Sequence, residues 1–304
     1  MKDIYKKQFS LLLDILSGVA KEDVFALHGG TAINLFCLNM PRLSVDIDLT
    51  YIPVSQKRDV DLHNIRSALE RIKERLYKWI PSIRFSDSVR NEEELKLICA
   101  TSDAIVKIEV NQINRGVIAA TDLVVLCDKA QQSFNKFCEV RTVSKKQLWG
   151  GKIIAALDRQ HPRDLFDIRN LINEIGYSNE IKEGFLFFLL CSKRPMFELL
   201  RPRLLDQSAV FESQFNGLTD NSFGYDEFEK TRGHLIKIVN DSLTAEDKEF
   251  LFEFSKGKPD WTKVDYSRFP AVQWKHLNIN KLKNNNQQKY TEQTEILRKI
   301  LSLP

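Results

Sequence analysis

The sequence predicts a strand-rich α/β or α+β unit over residues 1–143, followed by a mainly helical domain over residues 144–304. Three observations support this. Segments such as "RLSVDIDLTY" (Arg42–Tyr51) and "AIVKIEVNQI" (Ala104–Ile113) alternate apolar and polar residues with period two. From Ser144 onward the apolar residues recur at helical spacing instead. A length of 304 residues is enough for two ordinary domains with their own cores.

The elements follow in order. "MKDIYKKQFSLLLDILSGVA" places Leu12, Leu16 and Val19 on one stripe and predicts an amphipathic first helix. Asp14 interrupts its apolar run and no convincing cleavage site follows, so an amphipathic first helix is expected rather than a signal peptide. "DVFALHGG" reads as a short buried strand ending in two glycines. "TAINLFCLN" reads as a short helix stopped at Asn39 and Pro41. Arg42–Tyr51 then reads as a strand, and 57–80 as a charged helix closed by Pro81. "IRFSDSV", "LKLICAT", "AIVKIEVNQI", "DLVVLCD" and "KFCEVRTV" read as further strands. Ser144-x-x-Gln147 is a capping-box candidate opening a helix over 144–160. Helices are predicted over 162–175, 178–191, 225–241 and 244–256, with breaks around Pro195, Pro202 and Gly217. "NNNQQ" reads as a flexible spacer before a short amphipathic end, "EILRKILSL".

Composition bounds the function. Apolar content of 43% with 28% charged residues is that of a globular protein. No run approaches the ~18 apolar residues of a membrane span, so no membrane partner is expected and a cytoplasmic location is. Five cysteines (Cys37, Cys99, Cys127, Cys138, Cys191) show no C-x-x-C pairing, and read as reduced core residues without a zinc site. The net charge of +4 is unevenly spread: between Arg141 and Asn170 seven Lys/Arg face three Asp. Such a basic excess suits a polyanion, and equally a solvated helix surface.

Within Arg42–Tyr51, Leu43, Val45, Ile47 and Leu49 share one face, and Arg42, Ser44, Asp46 and Asp48 the other. Two carboxylates roughly 7 Å apart along a strand repel unless something cationic lies between them. Hard oxygen donors favour Mg²⁺ or Mn²⁺, and paired acids can serve a two-metal site. D-x-D by itself is equally an edge strand with solvated acids. Upstream, Gly29-Gly30-Thr31 stands at a strand-to-helix junction, where free backbone N–H groups, the helix dipole and the Thr31 hydroxyl can face an anion. Glu109, in "VKIEVN", shares a face with Lys107 and can supply a third acid if its strand lies beside that of Asp46; otherwise it is a surface acid. Lys152 and Arg159 are two helical turns apart, on one face. Gly150 and Gly151 lie inside the predicted helix at ~1 kcal/mol each relative to Ala, which a close ligand or helix contact would explain. Pro162 suits the first position of the next helix. That makes Asp164 a first-turn acid with a structural role and Asp167 the better functional candidate.

Taken together, Gly29-Gly30-Thr31-Ala32, Arg42-x-Ser44-x-Asp46-x-Asp48, Lys152-x-x-Ala155-x-x-x-Arg159 and Arg163-Asp164-x-x-Asp167 resemble the AbiEii/AbiGii-type nucleotidyltransferase toxins. These are a branch of the DNA polymerase beta-like superfamily. "RPMFELLRP", "NGLT", "PDW" and "PAVQWKHLN" extend the resemblance through the C-terminal half, with Leu218 standing where Met is expected. The resemblance implies an α+β fold: a mixed-sheet nucleotidyltransferase domain, then a helical domain completing the active-site cleft. It implies catalytic roles for Asp46, Asp48, Lys152 and Asp167, with Asp46 and Asp48 binding metal and Lys152 contacting the triphosphate. Glu109 is left less determined. Gly29, Gly30, Thr31, Arg42, Ser44 and Arg159 are the nucleotide-binding positions. The cofactor implied is Mg²⁺ or Mn²⁺, with a nucleoside triphosphate (NTP) as substrate.

The function implied is that of a toxin in a toxin–antitoxin or phage-defence system, transferring a nucleotide to RNA, the tRNA 3′ end foremost, and opposed by a cognate antitoxin protein. The basic stretch around Lys193, Arg194, Arg201 and Arg203 is the expected acceptor platform. Phosphorylation of Ser44 would add about −1.5 to −2 charge beside the nucleotide and block its binding. The alternatives are nucleotidylation of a protein or small molecule, and a non-catalytic RNA- or partner-binding module. Pure binding, however, does not require D-x-D and Lys152.

Overall fold

The structure, a computed structural model, describes residues 3–55, 57–91, 94–219 and 221–303. The chain forms two compact units, Met1–Leu148 with Leu218–Asn221, and Trp149–Gly217 with Ser222–Pro304.

The first unit carries α1 (Asp3–Val19), β1 (Phe25–His28), α2 (Gly29–Ala32, running on as a π-helical turn Ile33–Cys37), β2 (Asp46–Tyr51) and α3 (Arg58–Trp79). Then come β3 (Arg84–Asn91), β4 (Glu94–Ala100), β5 (Ile105–Asn111), β6 (Asp122–Val125), α4 (Asp128–Phe134) and β7 (Glu139–Thr142). The strands form one mixed sheet in the order β3-β4-β5-β2-β1-β7-β6. The β2–β5 and β1–β7 pairs are parallel and the others antiparallel. Parallel β2–β5 pairing lets residues distant in sequence share a row across the sheet centre.

One face of this sheet is apolar. Phe25, Leu27, Ile47, Leu49, Val106, Ile108 and Val110 are all buried on it. Helix α1 packs across β2, β5 and β7 with Phe9, Leu12, Ile15 and Leu16 fully buried. Each such side chain contributes about 1.5–3 kcal/mol. Helix α3 adds Leu62, Ile65, Leu69, Ile72 and Leu76 at helical spacing. Gly18 permits its approach: a Cβ there would lie 2.9 Å from Leu76 Cδ2. Buried Glu22 accepts from Arg71 at 2.6 Å and Arg75 at 2.9 Å, pinning α3 to the loop after α1.

Several expectations are corrected here. Arg42–Val45 lies outside the strand, because pairing starts where β5 offers Lys107 to Asp46, and the Leu43 N–H instead donates to Leu218 O at 3.1 Å. Thr219 Oγ1 donates to Pro41 O at 2.8 Å, so "NGLT" returns to the first unit. Helix α4 lies between two predicted strands, in a segment for which no element is predicted; Asn135, at φ 50°, ends it in the left-handed conformation that Asn tolerates. The Ser144/Gln147 capping box does not form. Gln147 accepts from Ile118 N–H at 3.0 Å and donates to Gly116 O at 3.1 Å, while Ser144 Oγ is buried without a hydrogen-bond partner. Gln147 thus holds the 116–118 loop instead of the helix start.

Helix α5 (Lys145–Arg159) leads into the second unit, which holds α6 (Pro162–Asn170, then a π-helical turn Leu171–Ile175), α7 (Asn179–Cys191), α8 (Met196–Leu200) and α9 (Ser208–Gln214). Helices α10 (Tyr225–Asp241), α11 (Ala245–Ser255), α12 (Pro270–Asn285) and α13 (Gln287–Ile300) follow. Gly150 is explained by a helix contact: a Cβ there would lie 2.3 Å from the Gly184 carbonyl carbon, so α5 and α7 meet backbone to backbone. Phe166, Phe211, Phe215, Phe223 and Phe228 form one aromatic cluster. Lys275 Nζ donates to the carbonyls of Leu189, Ser192 and Arg194 at 3.0, 2.8 and 2.7 Å, closing the C-terminal end of α7 from another helix. "NNNQQ" is not a spacer. It ends α12, and Asn286 caps α13 by accepting from Lys289 N–H at 3.0 Å. Among the described residues no helix is long and apolar enough to cross a membrane.

Candidate active site

The polar face of β2 carries the candidate chemistry of the first unit. Asp46 and Asp48 alternate with buried Ile47 and Leu49, as the period-two pattern requires. Register aligns residues of four strands in rows. Lys107 lies opposite Asp46; Lys96, Glu109, Asp48 and His28 form the next row, across β4, β5, β2 and β1.

The glycines sit against this face. Gly29 opens α2 at φ +73°, a conformation that favours glycine, and a Cβ on it would lie 2.1 Å from Asp48 Oδ2. A Cβ on Gly30 would lie 2.9 Å from Ser44 Oγ and 3.0 Å from Arg42 Nη2. Only bare backbone fits beside the carboxylate and the hydroxyl. Thr31 is fully buried, and its hydroxyl donates to the Asp46 carbonyl at 2.5 Å and lies 3.0 Å from Ser44 Oγ. The structure therefore uses Thr31 to fasten α2 to the start of β2. Arg42 is buried, and its Nη1 donates to Leu43 O at 2.9 Å.

Glu109 is in register with Asp48 but bonded away from it: Lys96 Nζ donates to Glu109 Oε1 at 2.8 Å. Among the described residues no three His, Cys, Asp or Glu side chains are grouped to hold a metal ion. Asp46 and Asp48 nevertheless fit Mg²⁺ or Mn²⁺. They are hard oxygen donors on one face, and Mg²⁺ is commonly held by one or two carboxylates, with substrate phosphates and water completing its octahedron. The side-chain-free backbone at Gly29 lets the peptide lie directly against the Asp48 carboxylate.

The second unit holds a separate cluster. Lys152 Nζ, nearly fully buried, lies 2.9 Å from Asp164 Oδ1 and 3.0 Å from Asp167 Oδ2. Arg159, two turns along α5, donates from Nε to Asp164 Oδ2 at 2.5 Å and from Nη2 to Oδ1 at 3.0 Å, while its side chain stays 63% exposed. The shared helix face predicted for Lys152 and Arg159 thus converges on one carboxylate. Burial pushes the Asp164 carboxyl up, but the Lys152 charge and the Arg159 hydrogen bonds outweigh it and hold Asp164 well below the usual carboxylate range. Two cationic and two anionic side chains balance one another here.

His161 is the N-cap of α6, accepting from Arg163 N–H on Nδ1 at 3.1 Å, with Nε2 facing Gln214 Oε1 at 3.2 Å. Burial pushes its pKa down, favouring the neutral ring that can accept. Pro162 occupies the first turn as predicted.

Three contributors escaped the sequence reading. Lys96 had a signal, since it alternates with Leu95 and Leu97 and so faces the acids. His161 had one in its place before Pro162. The return of Leu218 and Thr219 to Pro41 and Leu43 had none, being a contact across more than 170 residues. Of the expected acceptor platform, Arg194 is engaged with Asp158 and Glu198.

Comparison with known proteins agrees with this architecture. The family described as "Nucleotidyl transferase AbiEii toxin, Type IV TA system" matches residues 10–275. Among solved structures the chain is similar to MenT4, a nucleotidyltransferase toxin from Mycobacterium tuberculosis, with a TM-score of 0.59 over 96% of this chain and 93% of that one. Identity there is 12%, so this likeness bears on the fold. No curated protein sequence matches the chain. With a family match spanning most of its length, and the glycine pair set against the D-x-D strand, the chain belongs to the AbiEii family of nucleotidyltransferase toxins of type IV toxin–antitoxin systems.

Proposed function

We propose that this nucleotidyltransferase moves a nucleoside monophosphate from an NTP onto RNA, the tRNA 3′ end foremost, in a reaction that requires Mg²⁺ or Mn²⁺. The observation that carries the reading is the approach of the Gly29 backbone to Asp48: two carboxylates on one strand face lie beside a helix start that presents no side chain. Asp46 and Asp48 would hold the metal. When bound, the divalent ions supply activation of the acceptor hydroxyl and charge neutralisation on the departing pyrophosphate.

The chain's own residues do the rest. Gly29 and Gly30 bring backbone N–H groups to the polyphosphate, and the hydroxyl of Ser44 lies beside Gly30. Thr31 fixes the height of α2 relative to β2. By the family resemblance Lys152 and Arg159 would neutralise phosphate charge; within the second unit Asp164 and Asp167 hold the Lys152 ammonium. Most of the catalysis is positioning and electrostatics, as in other phosphoryl transfers. In this reading the enzyme works in the cytoplasm, within toxin–antitoxin or phage-defence systems, under a cognate antitoxin.

The test is purified protein with Mg²⁺, each α-labelled NTP in turn, and total tRNA, with a lysate protein fraction as a second acceptor and Lys152→Ala alongside. Label on tRNA from the wild type alone supports the reading. Label on protein moves the acceptor to another class. No label on any acceptor under any nucleotide rejects transfer to RNA.

A further inference from the structure

We infer that Lys96 is a positioning residue that withholds Glu109 from the metal site, so that Asp46 and Asp48 alone, with the NTP phosphates, make up the metal's anionic ligands. The inference deepens the nucleotidyl-transfer reading and rests on it.

Three facts meet at this point. Parallel pairing of β2 and β5 sets Glu109 directly opposite Asp48, the neighbouring position from which a third carboxylate would reach a shared cation. Antiparallel pairing of β4 and β5 sets Lys96 directly opposite the other side of Glu109. The Lys96 ammonium, about three-quarters buried like its partner, donates to Glu109 Oε1 at 2.8 Å. Glu109 thus has a choice of two neighbours in one row, and it is bonded to the cation on the far side from Asp48. Among the described residues no three-carboxylate group results.

The consequence is a site with two acids where its register permits three. A divalent ion gains less from two carboxylates, and the shortfall is met by the triphosphate it accompanies. Lys96 thereby couples metal binding to nucleotide binding, and the empty enzyme holds its metal weakly. Its long, flexible side chain acts on the ion only through Glu109, which makes it a positioning residue and not a catalytic one.

The experiment is direct Mn²⁺ binding by electron paramagnetic resonance, with and without a non-hydrolysable NTP analogue. It compares wild type, Lys96→Met, Lys96→Met/Glu109→Gln and Asp46→Asn, each confirmed as folded by circular dichroism and size-exclusion chromatography. Lys96→Met should bind Mn²⁺ roughly tenfold more tightly than wild type without nucleotide, the lower end of the effect of outer-shell partners. The double variant should return to the wild-type value, because the gain passes through Glu109. With the analogue present, wild type and Lys96→Met should converge. Unchanged or weaker binding in Lys96→Met, or a gain that survives in the double variant, overturns the role of Lys96. If wild type with the analogue binds no Mn²⁺ that Asp46→Asn abolishes, the nucleotidyl-transfer reading itself fails, and this inference with it. The Asp46→Asn arm therefore separates the two failures.

Discussion

Gly29 and Asp48 are packed so closely that a single methyl group at position 29 would lie 2.1 Å from Asp48 Oδ2. The two residues come from different elements: Gly29 opens α2, while Asp48 lies in β2, opposite His28 at the end of β1. The spacing between the G-G-T and D-x-D segments is thus a packing constraint as well as a pattern of residues. A carboxylate and a bare peptide face each other with nothing between them.

Gly29→Ala should lose function. The residue sits at φ +73°, where a non-glycine side chain costs about 1–2 kcal/mol, and the new methyl must displace the Asp48 carboxylate. Expected is a modest fall in melting temperature, with loss of nucleotide transfer far beyond it. The check is labelled-NTP transfer set against thermal unfolding of the same sample. Unchanged transfer would show that Asp48 can move without consequence.

The Lys152 cluster predicts a pH signature. Asp164 has its folded pKa depressed, so its stabilising contribution is present above the unfolded value near 3.9 and is lost as pH falls through the lower folded value. The stability difference between wild type and Asp164→Asn should be flat from neutral pH down to about 4 and shrink only below that. Breaking a buried pair by removing one partner typically costs about 3–5 kcal/mol, so Asp164→Asn should unfold at clearly lower denaturant. Urea melts across pH check both statements.

His161 predicts a second window, at milder acid and with the same sign, since the unfolded state again binds more protons than the folded one. Its folded pKa is lowered, so the neutral cap of α6 is fully in place above the unfolded value near 6.5, and stability is lost as pH falls below it. Asn is a strong, non-titrating N-cap, so His161→Asn should remove this mild-acid loss while leaving stability at pH 8 within about 1 kcal/mol of wild type. Parallel slopes for the two proteins between pH 7 and pH 5 would contradict it.

Gly150→Ala tests the helix crossing. Its Cβ would lie 2.3 Å from the Gly184 carbonyl carbon, a backbone atom that cannot rotate away. The gain in helix propensity of about 1 kcal/mol should be outweighed by overpacking of about 1–3 kcal/mol, giving net destabilisation. Chemical denaturation measures the sum, and a stabilised variant would mean that the helices separate freely.

Much of this was legible in the residues themselves. All seven strands lie in segments that alternate apolar and polar residues or form short apolar runs, and the polar face of β2 follows from period two alone. The pairing of Lys152 and Arg159 on one helix face was legible too, though not that both would close on Asp164. What was hidden depends on contacts between distant segments. The start of β2 is set by where its pairing with β5 begins, at Asp46 and Lys107, and the Leu43 N–H is taken by Leu218 O, which no local pattern announces. Ser144 and Gln147 have the residue types of a capping box, but the 116–118 loop offered Gln147 better partners. "NNNQQ" looks like low-complexity spacer by composition, yet Asn is also a capping residue, and Asn286 acts as one.

Ser44 lies 3.0 Å from the Thr31 hydroxyl and next to the Gly30 backbone. Ser44→Glu should therefore weaken NTP binding by placing a negative charge where phosphate is expected. Equilibrium binding of a fluorescent NTP analogue checks this. Wild-type affinity in the variant would place the nucleotide elsewhere.

The most direct test is Mg²⁺-dependent transfer of α-labelled nucleotide to tRNA by wild type and by Asp46→Asn, with folding of both verified by thermal melts. Asp46→Asn should keep a wild-type melting temperature and lose roughly a hundredfold or more of the transfer rate, the scale on which removing one preorganised electrostatic group acts. Transfer at the wild-type rate by a correctly folded Asp46→Asn protein would mean that the carboxylate face of β2 does not carry the chemistry.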